Sequence, residues 1–204
     1  MRIAVIGGTG TGKTSFVNTA SGSNFRVGGT GLSPITNDLQ MSPIVDLSGQ
    51  RVILIDTPGL DIKRGDKTFK LLEEGLRETT KRRLAGVIFL HKIGSPMDGQ
   101  QPEIFDRFAK LCVAARLPNI ALATTGWNYV SRERGLAEEH KALNHDKFFD
   151  LVIRKGAVYT GHYENSLASA QQTLGRVVEG ARTLGLDDWE ILLWPDSKWF
   201  PCLS

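Results

Sequence analysis

The 204-residue sequence predicts a three-layer α/β fold, with a mostly parallel central sheet, one antiparallel edge strand and helices on both faces. Three observations carry this prediction. Apolar runs of strand length alternate with stretches of helical periodicity, the pattern of a buried parallel sheet. The first apolar run ends in a dense cluster of glycines. Two further runs are separated by a short turn, which supplies an antiparallel pair.

Ile3-Ala4-Val5-Ile6 is a buried strand that enters a tight loop at Gly7-Gly8. A short helix follows over Lys13 to Thr19, and the glycine-rich stretch from Ser21 to Ser33 is a loop. Pro43 to Leu47 and Arg51 to Ile55 form a hairpin around Ser48-Gly49-Gln50. Asp61 to Asp66 is polar and loop-like; Phe69, Leu72 and Leu76 then mark one face of a helix over Thr68 to Arg83. Gly86 to Leu90 is a strand. Pro102 opens a helix to Arg116, with Ile104, Phe105, Phe108 and Leu111 facing inward. Asn119 to Ala123 is a strand, Ser131 to Leu143 a charged helix, Ala157 to Thr160 a strand and Ser166 to Leu184 a long amphipathic helix. No repeat or linker divides the chain, so residues 1–185 read as one domain. Residues 186–204 form a tail with Trp189, Trp194 and Trp199, expected to fold back on the domain or to dock a partner.

Composition excludes several function classes. With 25 Lys+Arg against 22 Asp+Glu the net charge is +3, too balanced for a nucleic-acid or membrane field. Lys81-Arg82-Arg83 closes a helix, where cations suit the dipole. Cys112 and Cys202 are too few for a disulfide framework or a zinc site, which fits a reducing compartment. No apolar run is long enough to span a bilayer and the N-terminus lacks a secretory pattern, so a cytoplasmic location is expected. Eight of the 22 glycines precede Leu32, an excess that asks for a local cause.

That cause is Gly7-Gly8-Thr9-Gly10-Thr11-Gly12-Lys13-Thr14, a complete G-x-x-x-x-G-K-T between a strand and a helix. Glycines let the backbone N–H groups of Gly8, Thr9, Gly10, Thr11 and Gly12 close on phosphate oxygens, and the helix start adds its positive end. In this P-loop Lys13 reaches the β- and γ-phosphates, Thr14 takes a Mg²⁺ position, and Ser15 donates to the α-phosphate. A second apolar strand ends in Asp56-Thr57-Pro58-Gly59, which puts the Asp56 carboxylate where it can hold the metal.

Together these motifs resemble the P-loop GTPases. Gly31-Leu32-Ser33-Pro34-Ile35-Thr36, then Asp56-Thr57-Pro58-Gly59, then Leu84 to Ile93 through His91-Lys92 are similar to the fungal AIG-type, septin-like G domains, over roughly residues 1–185. The resemblance implies a P-loop NTPase fold, GTP or GDP as ligand, and Mg²⁺ held by Thr14, Thr36 and Asp56. It implies a switch threonine at Thr36, with Thr30 as competitor, and a Gly59 N–H directed at the γ-phosphate. Ras-type GTPases place a water-positioning glutamine after D-x-x-G; here Leu60 stands there, so intrinsic hydrolysis is expected to be slow. Such domains often pair across their nucleotide faces, and a homodimer is the expected partner besides the nucleotide. Lys92 is then either a cation acting on phosphate in the partner or a solvated edge lysine. His91 is either a dimer-face residue or a plain strand-end histidine.

The base pocket departs from the pattern. A guanine site carries N-K-x-D, whereas this chain has Thr125-Gly126-Trp127-Asn128, so Asn128 stands for the aspartate. An amide offers one acceptor and one donor group where a carboxylate offers two acceptors, and suits guanine less well. Trp127 is expected to stack on the base or to pack against the domain, and His162, in the last base-contacting loop, to stack or hydrogen-bond to it. The expected activity is slow Mg²⁺-dependent GTP hydrolysis in a dimerising switch. The alternatives are a non-hydrolysing nucleotide-binding assembly module and an ATP-using P-loop protein.

Overall fold

The computed structural model describes residues 1–27, 39–60, 68–70, 84–95, 100–114, 119–145, 149–154 and 156–183. Thr30, Thr36, the loop over 61–66, most of the helix expected to 83 with Lys81-Arg82-Arg83, and the Trp-rich tail lie outside the described residues.

The elements run β1 (Arg2–Ile6), α1 (Lys13–Ser21), β2 (Gln40–Met41), β3 (Val45–Leu47), β4 (Gln50–Asp56), β5 (Gly86–Lys92), α2 (Gln100–Ala114), β6 (Ile120–Thr125), a 3₁₀ turn (Trp127–Tyr129), α3 (Arg132–Asn144), α4 (Phe149–Ile153), β7 (Val158–His162) and α5 (Leu167–Thr183). The sheet order is β2-β4-β1-β5-β6-β7, with β3 also on β4. The β4, β1, β5, β6 and β7 strands are parallel; among the described residues only β2 and β3 run antiparallel, both along β4.

The antiparallel edge is therefore one interrupted strand. Pro43 lacks the N–H that a ladder needs. Ser42 bridges the gap, its N–H donating to the Leu54 carbonyl and its hydroxyl accepting from Leu54 N at 2.9 Å. The β3–β4 turn is Ser48-Gly49, with φ of 53° and 81°. Two positive-φ residues make the tight turn whose twist matches the strands, and Asp46 Oδ1 accepts from Gly49 N at 3.0 Å.

Two cores flank the sheet. Phe16 and Val17 of α1 and Leu174, Val177 and Val178 of α5 pack on one face with Ile3, Val5 and Ile88. Ile104, Phe105 and Phe108 of α2, Ala142 of α3 and Phe149 of α4 pack on the other with Ala4, Val87 and Phe89. Ile104, Phe105 and Phe108 face inward on α2 as their sequence spacing predicts. Asn119 fastens α5 to the sheet: its buried amide donates to Ala85 O at 2.8 Å and Val177 O at 2.7 Å. A Cβ on Gly180 would lie 2.5 Å from Asn119 Oδ1, so the helix sits this close only because residue 180 has no side chain.

The chain passes from β1 outward to β4 on one side and then returns to place β5 on the other. That reversal opens a crevice at the carboxyl end of β1, the position where ligands bind in open α/β sheets.

Candidate nucleotide site

The loop from Gly7 to Gly12 occupies that crevice. Gly7, Gly10 and Gly12 have φ of 148°, 76° and 85°, conformations that side chains rarely tolerate. At Gly7 the space is also closed, because a Cβ would lie 2.3 Å from the Leu90 carbonyl oxygen and 2.8 Å from Thr11 Oγ1. Lys13, nearly buried, donates from Nζ to the Gly8 carbonyl at 2.8 Å, which curls its ammonium back over the loop. Thr11 Oγ1 donates to the same carbonyl at 2.9 Å. The positive end of α1 therefore faces a concave backbone with a cation folded across it, the chemistry that grips a polyphosphate.

Thr14, one residue into α1, donates from Oγ1 to Asp56 Oδ2 at 2.7 Å. Asp56 is fully buried at the end of β4, in register with Val5 at the end of β1. A hydroxyl and a carboxylate at this spacing beside a phosphate cradle are hard oxygen donors, and fit the sparse protein ligation of Mg²⁺. Among the described residues no three His, Cys, Asp or Glu side chains cluster as a metal cage.

Gly59 packs directly on the cradle. A Cβ there would lie 2.1 Å from Thr9 Oγ1 and 3.0 Å from Thr9 Cα. The next residue, Leu60, donates its N–H to Gly7 O at 3.1 Å while its side chain is fully buried in the α2-side core. The residue in the water-positioning place is thus a core residue.

At the far side of the crevice, Thr125 Oγ1 donates to Thr11 O at 2.9 Å and joins the end of β6 to the P-loop. Gly126, with φ of 78°, turns the chain into Trp127-Asn128-Tyr129. Asn128 is exposed there. Lys92, paired in register with Thr125, lays its stem across Gly126, where a Cβ would meet its Cγ at 2.8 Å. Its ammonium lies 5.0 Å from the centroid of the exposed Tyr129 ring. The neighbouring His91 is buried edge-on to Phe149, at 5.8 Å between centroids, which makes it a strand-end core histidine. Burial lowers its pKa to about 4, against a smaller opposing influence of Glu138.

Trp127 and His162 stack on each other, with centroids 3.7 Å apart and planes 20° apart. The Trp127 benzo ring also lies against Gly135 of α3, where a Cβ would come within 2.5 Å of Cζ3. Behind this pair sits a polar group that the sequence reading missed. Trp127 Nε1 donates to Thr124 Oγ1 at 3.0 Å, and Thr124 Oγ1 donates to Glu139 Oε1 at 3.0 Å. The Tyr159 hydroxyl also donates to Glu139 Oε1, and His162 Nε2 lies 2.9 Å from both carboxylate oxygens. Burial and the bond to Glu139 push the Tyr159 phenol well above its ordinary pKa.

A β-bulge assembles this group. Leu122 pairs with Tyr159 but Ala123 pairs with Gly161, so Thr160 is the extra residue. Residues three apart on a regular strand face opposite sides; one bulged residue between them returns both to the same side. Tyr159 and His162 thereby meet Glu139 on the α3 face.

The model of a family described as 50S ribosome-binding GTPase matches residues 2–116. A crystal structure of a nucleolar GTP-binding protein 1 from Plasmodium falciparum superposes with a TM-score of 0.53 at 15% identity, covering 90% of this chain and 87% of that one. That likeness is one of fold. No curated protein matches the chain.

Proposed function

This chain belongs to the 50S ribosome-binding GTPase family, and from that premise we propose that it binds GTP and GDP with Mg²⁺ and hydrolyses the β–γ bond slowly, as a switch that pairs across its nucleotide face. The observation that carries the reading is the cradle in which Lys13 folds over the P-loop while Thr14 and Asp56 meet beneath it.

The residues divide the work by position. Gly8 to Gly12 offer backbone N–H groups to the phosphates, and the Lys13 ammonium takes up charge that grows on the β- and γ-oxygens as the bond breaks. Ser15, beside Thr14 in the first turn of α1, donates to the α-phosphate. Thr14 and Asp56, with Thr36 as the switch threonine, hold the metal. When bound, Mg²⁺ neutralises phosphate charge and fixes the triphosphate geometry. Gly59 offers its N–H to the γ-phosphate, its lack of a side chain allowing the contact with Thr9. Water attacks the γ-phosphorus as its bond to the β–γ bridging oxygen breaks; that oxygen leaves as part of GDP, and the water proton passes to the phosphate released, with no covalent enzyme intermediate.

Slow turnover follows from Leu60, whose burial leaves no side-chain group at that position to orient water. A second copy completes the site in this proposal. Lys92 stands on the crevice edge beside the exposed Tyr129, where a facing protomer would bring it to phosphate. In this proposal the domain is of the AIG-type, septin-like kind, on its resemblance over Gly31 to Thr36, Asp56 to Gly59 and Leu84 to Ile93. In this reading the base is met by Thr125, Asn128 and His162, and Trp127, stacked on His162 and packed against Gly135, backs the imidazole.

Leu60 favours a second reading, a module that binds nucleotide without cleaving it and uses it to set assembly state. Single-turnover assays with GTP and Mg²⁺ at rising protein concentration separate the two. Phosphate release that accelerates with concentration supports the dimerising GTPase; none at any concentration supports the module. Tighter binding of ADP than GDP would contradict guanine specificity.

A further inference from the structure

The buried Glu139 carboxylate is used by neither the phosphate cradle nor the metal pair. It lies on α3, behind the loops that close the base side of the crevice. Three donors converge on it: the Thr124 hydroxyl, the Tyr159 hydroxyl and His162 Nε2. A carboxylate this buried is retained at a cost unless its acceptor sites are filled, and here they are filled by groups from β6 and β7. Two of those groups lead to the stacked rings. His162 bonds directly, and Trp127 bonds through Thr124. The bond between Glu139 and His162 Nε2 holds the imidazole flat against the indole.

We propose that Glu139 is a positioning residue for base binding, fixing the Trp127–His162 stack as a flat aromatic platform on which a purine lies. The inference rests on the nucleotide-binding reading and names how the base is held without the carboxylate of N-K-x-D. His162 keeps about a third of its side-chain surface exposed (31%), so the ring stacked on Trp127 is not sealed from solvent. Thr125 joins the same loop to the P-loop, which ties the height of the platform to that of the phosphates. Stacking on a π-face is tolerant of base identity. The platform therefore contributes affinity to guanine and adenine nucleotides alike, and discrimination between them falls to Asn128 and the backbone.

The test is a double-mutant cycle read with two probes, GDP and inorganic pyrophosphate, which shares the phosphates but lacks the base. Glu139→Ala and His162→Ala should each weaken GDP binding by about tenfold or more. Pyrophosphate affinity should stay within about twofold, and the ratio of GDP to ADP affinity should be unchanged. The double variant should lose no more than His162→Ala alone, because Glu139 acts through the ring it holds. If Glu139→Ala does not fold, Glu139→Leu, which keeps the volume but accepts from none of the three donors, replaces it in the cycle. Wild-type-like GDP affinity in the Glu139 variant overturns the inference and leaves the GTPase reading standing. So does an additive double loss, or an equal loss of pyrophosphate. A wild-type chain that binds neither GDP nor pyrophosphate overturns both.

Discussion

Thr14 Oγ1 and Asp56 Oδ2, 42 residues apart in sequence, meet at 2.7 Å between the first turn of α1 and the end of β4. The parallel β1–β4 register sets this meeting, since Val5 lies opposite Asp56 and the P-loop rises directly from β1. Asp56→Asn preserves the size of the side chain and removes its charge. It should leave Mg²⁺-free GDP affinity nearly unchanged and abolish the gain of about tenfold or more that Mg²⁺ gives the wild type. Calorimetric titration of GDP with Mg²⁺ and with EDTA reads both quantities.

Gly59→Ala tests the contact with the cradle. Its methyl group would enter the space of Thr9 Oγ1, 2.1 Å away, and press on Thr9 backbone atoms. Displacing the loop that way should cost about 1–3 kcal/mol of overpacking. The loss should fall more heavily on a GTP analogue than on GDP if the Gly59 N–H meets the γ-phosphate, as proposed. Parallel titrations of the two ligands measure the difference.

Leu60→Gln restores the residue type that orients water in Ras-type enzymes, but into the core. The substitution should not raise single-turnover hydrolysis. It should lower unfolding free energy by about 2–4 kcal/mol, through lost packing and a buried amide. Urea denaturation and a phosphate-release assay test the two halves separately.

His91 gives the fold a built-in acid sensitivity. Its folded-state pKa of about 4 lies below the ordinary 6.5 because burial disfavours the cation. The unfolded chain therefore binds more protons between those values, and stability falls as the pH drops from 6.5 toward 4. The loss should reach about 3 kcal/mol. His91→Leu should flatten that segment of the pH–stability curve, as measured by urea midpoints at pH 7 and pH 4.5.

Most of the fold was legible because its signals are local. The alternation of strands and helices gives the mostly parallel sheet, and the turn at Ser48-Gly49-Gln50 gives the hairpin. The P-loop is a contiguous string whose spacing alone implies its geometry, and Asp56 is marked by the apolar strand that ends on it. Glu139 was not legible. It sits in the polar run Glu138-Glu139-His140-Lys141 of a charged helix, where only helical phase turns one glutamate inward. The Thr160 bulge was hidden for a related reason. Nothing in Val158-Tyr159-Thr160-Gly161-His162 announces the register shift that brings Tyr159 and His162 to one side. The short β2 and α4 segments also escaped, since two and five residues carry too little periodicity to register. Trp127 stood as either a stacking or a packing residue, and the structure gives its indole a partner within the chain.

The most direct measurement is the GDP affinity of Lys13→Ala, with folding checked by its thermal transition. The ammonium that now bonds Gly8 O is the cation that would meet the phosphates. Its removal should weaken binding by about tenfold to a hundredfold at unchanged secondary structure. Equal affinity in the wild type and the variant would mean that this cradle does not hold the polyphosphate.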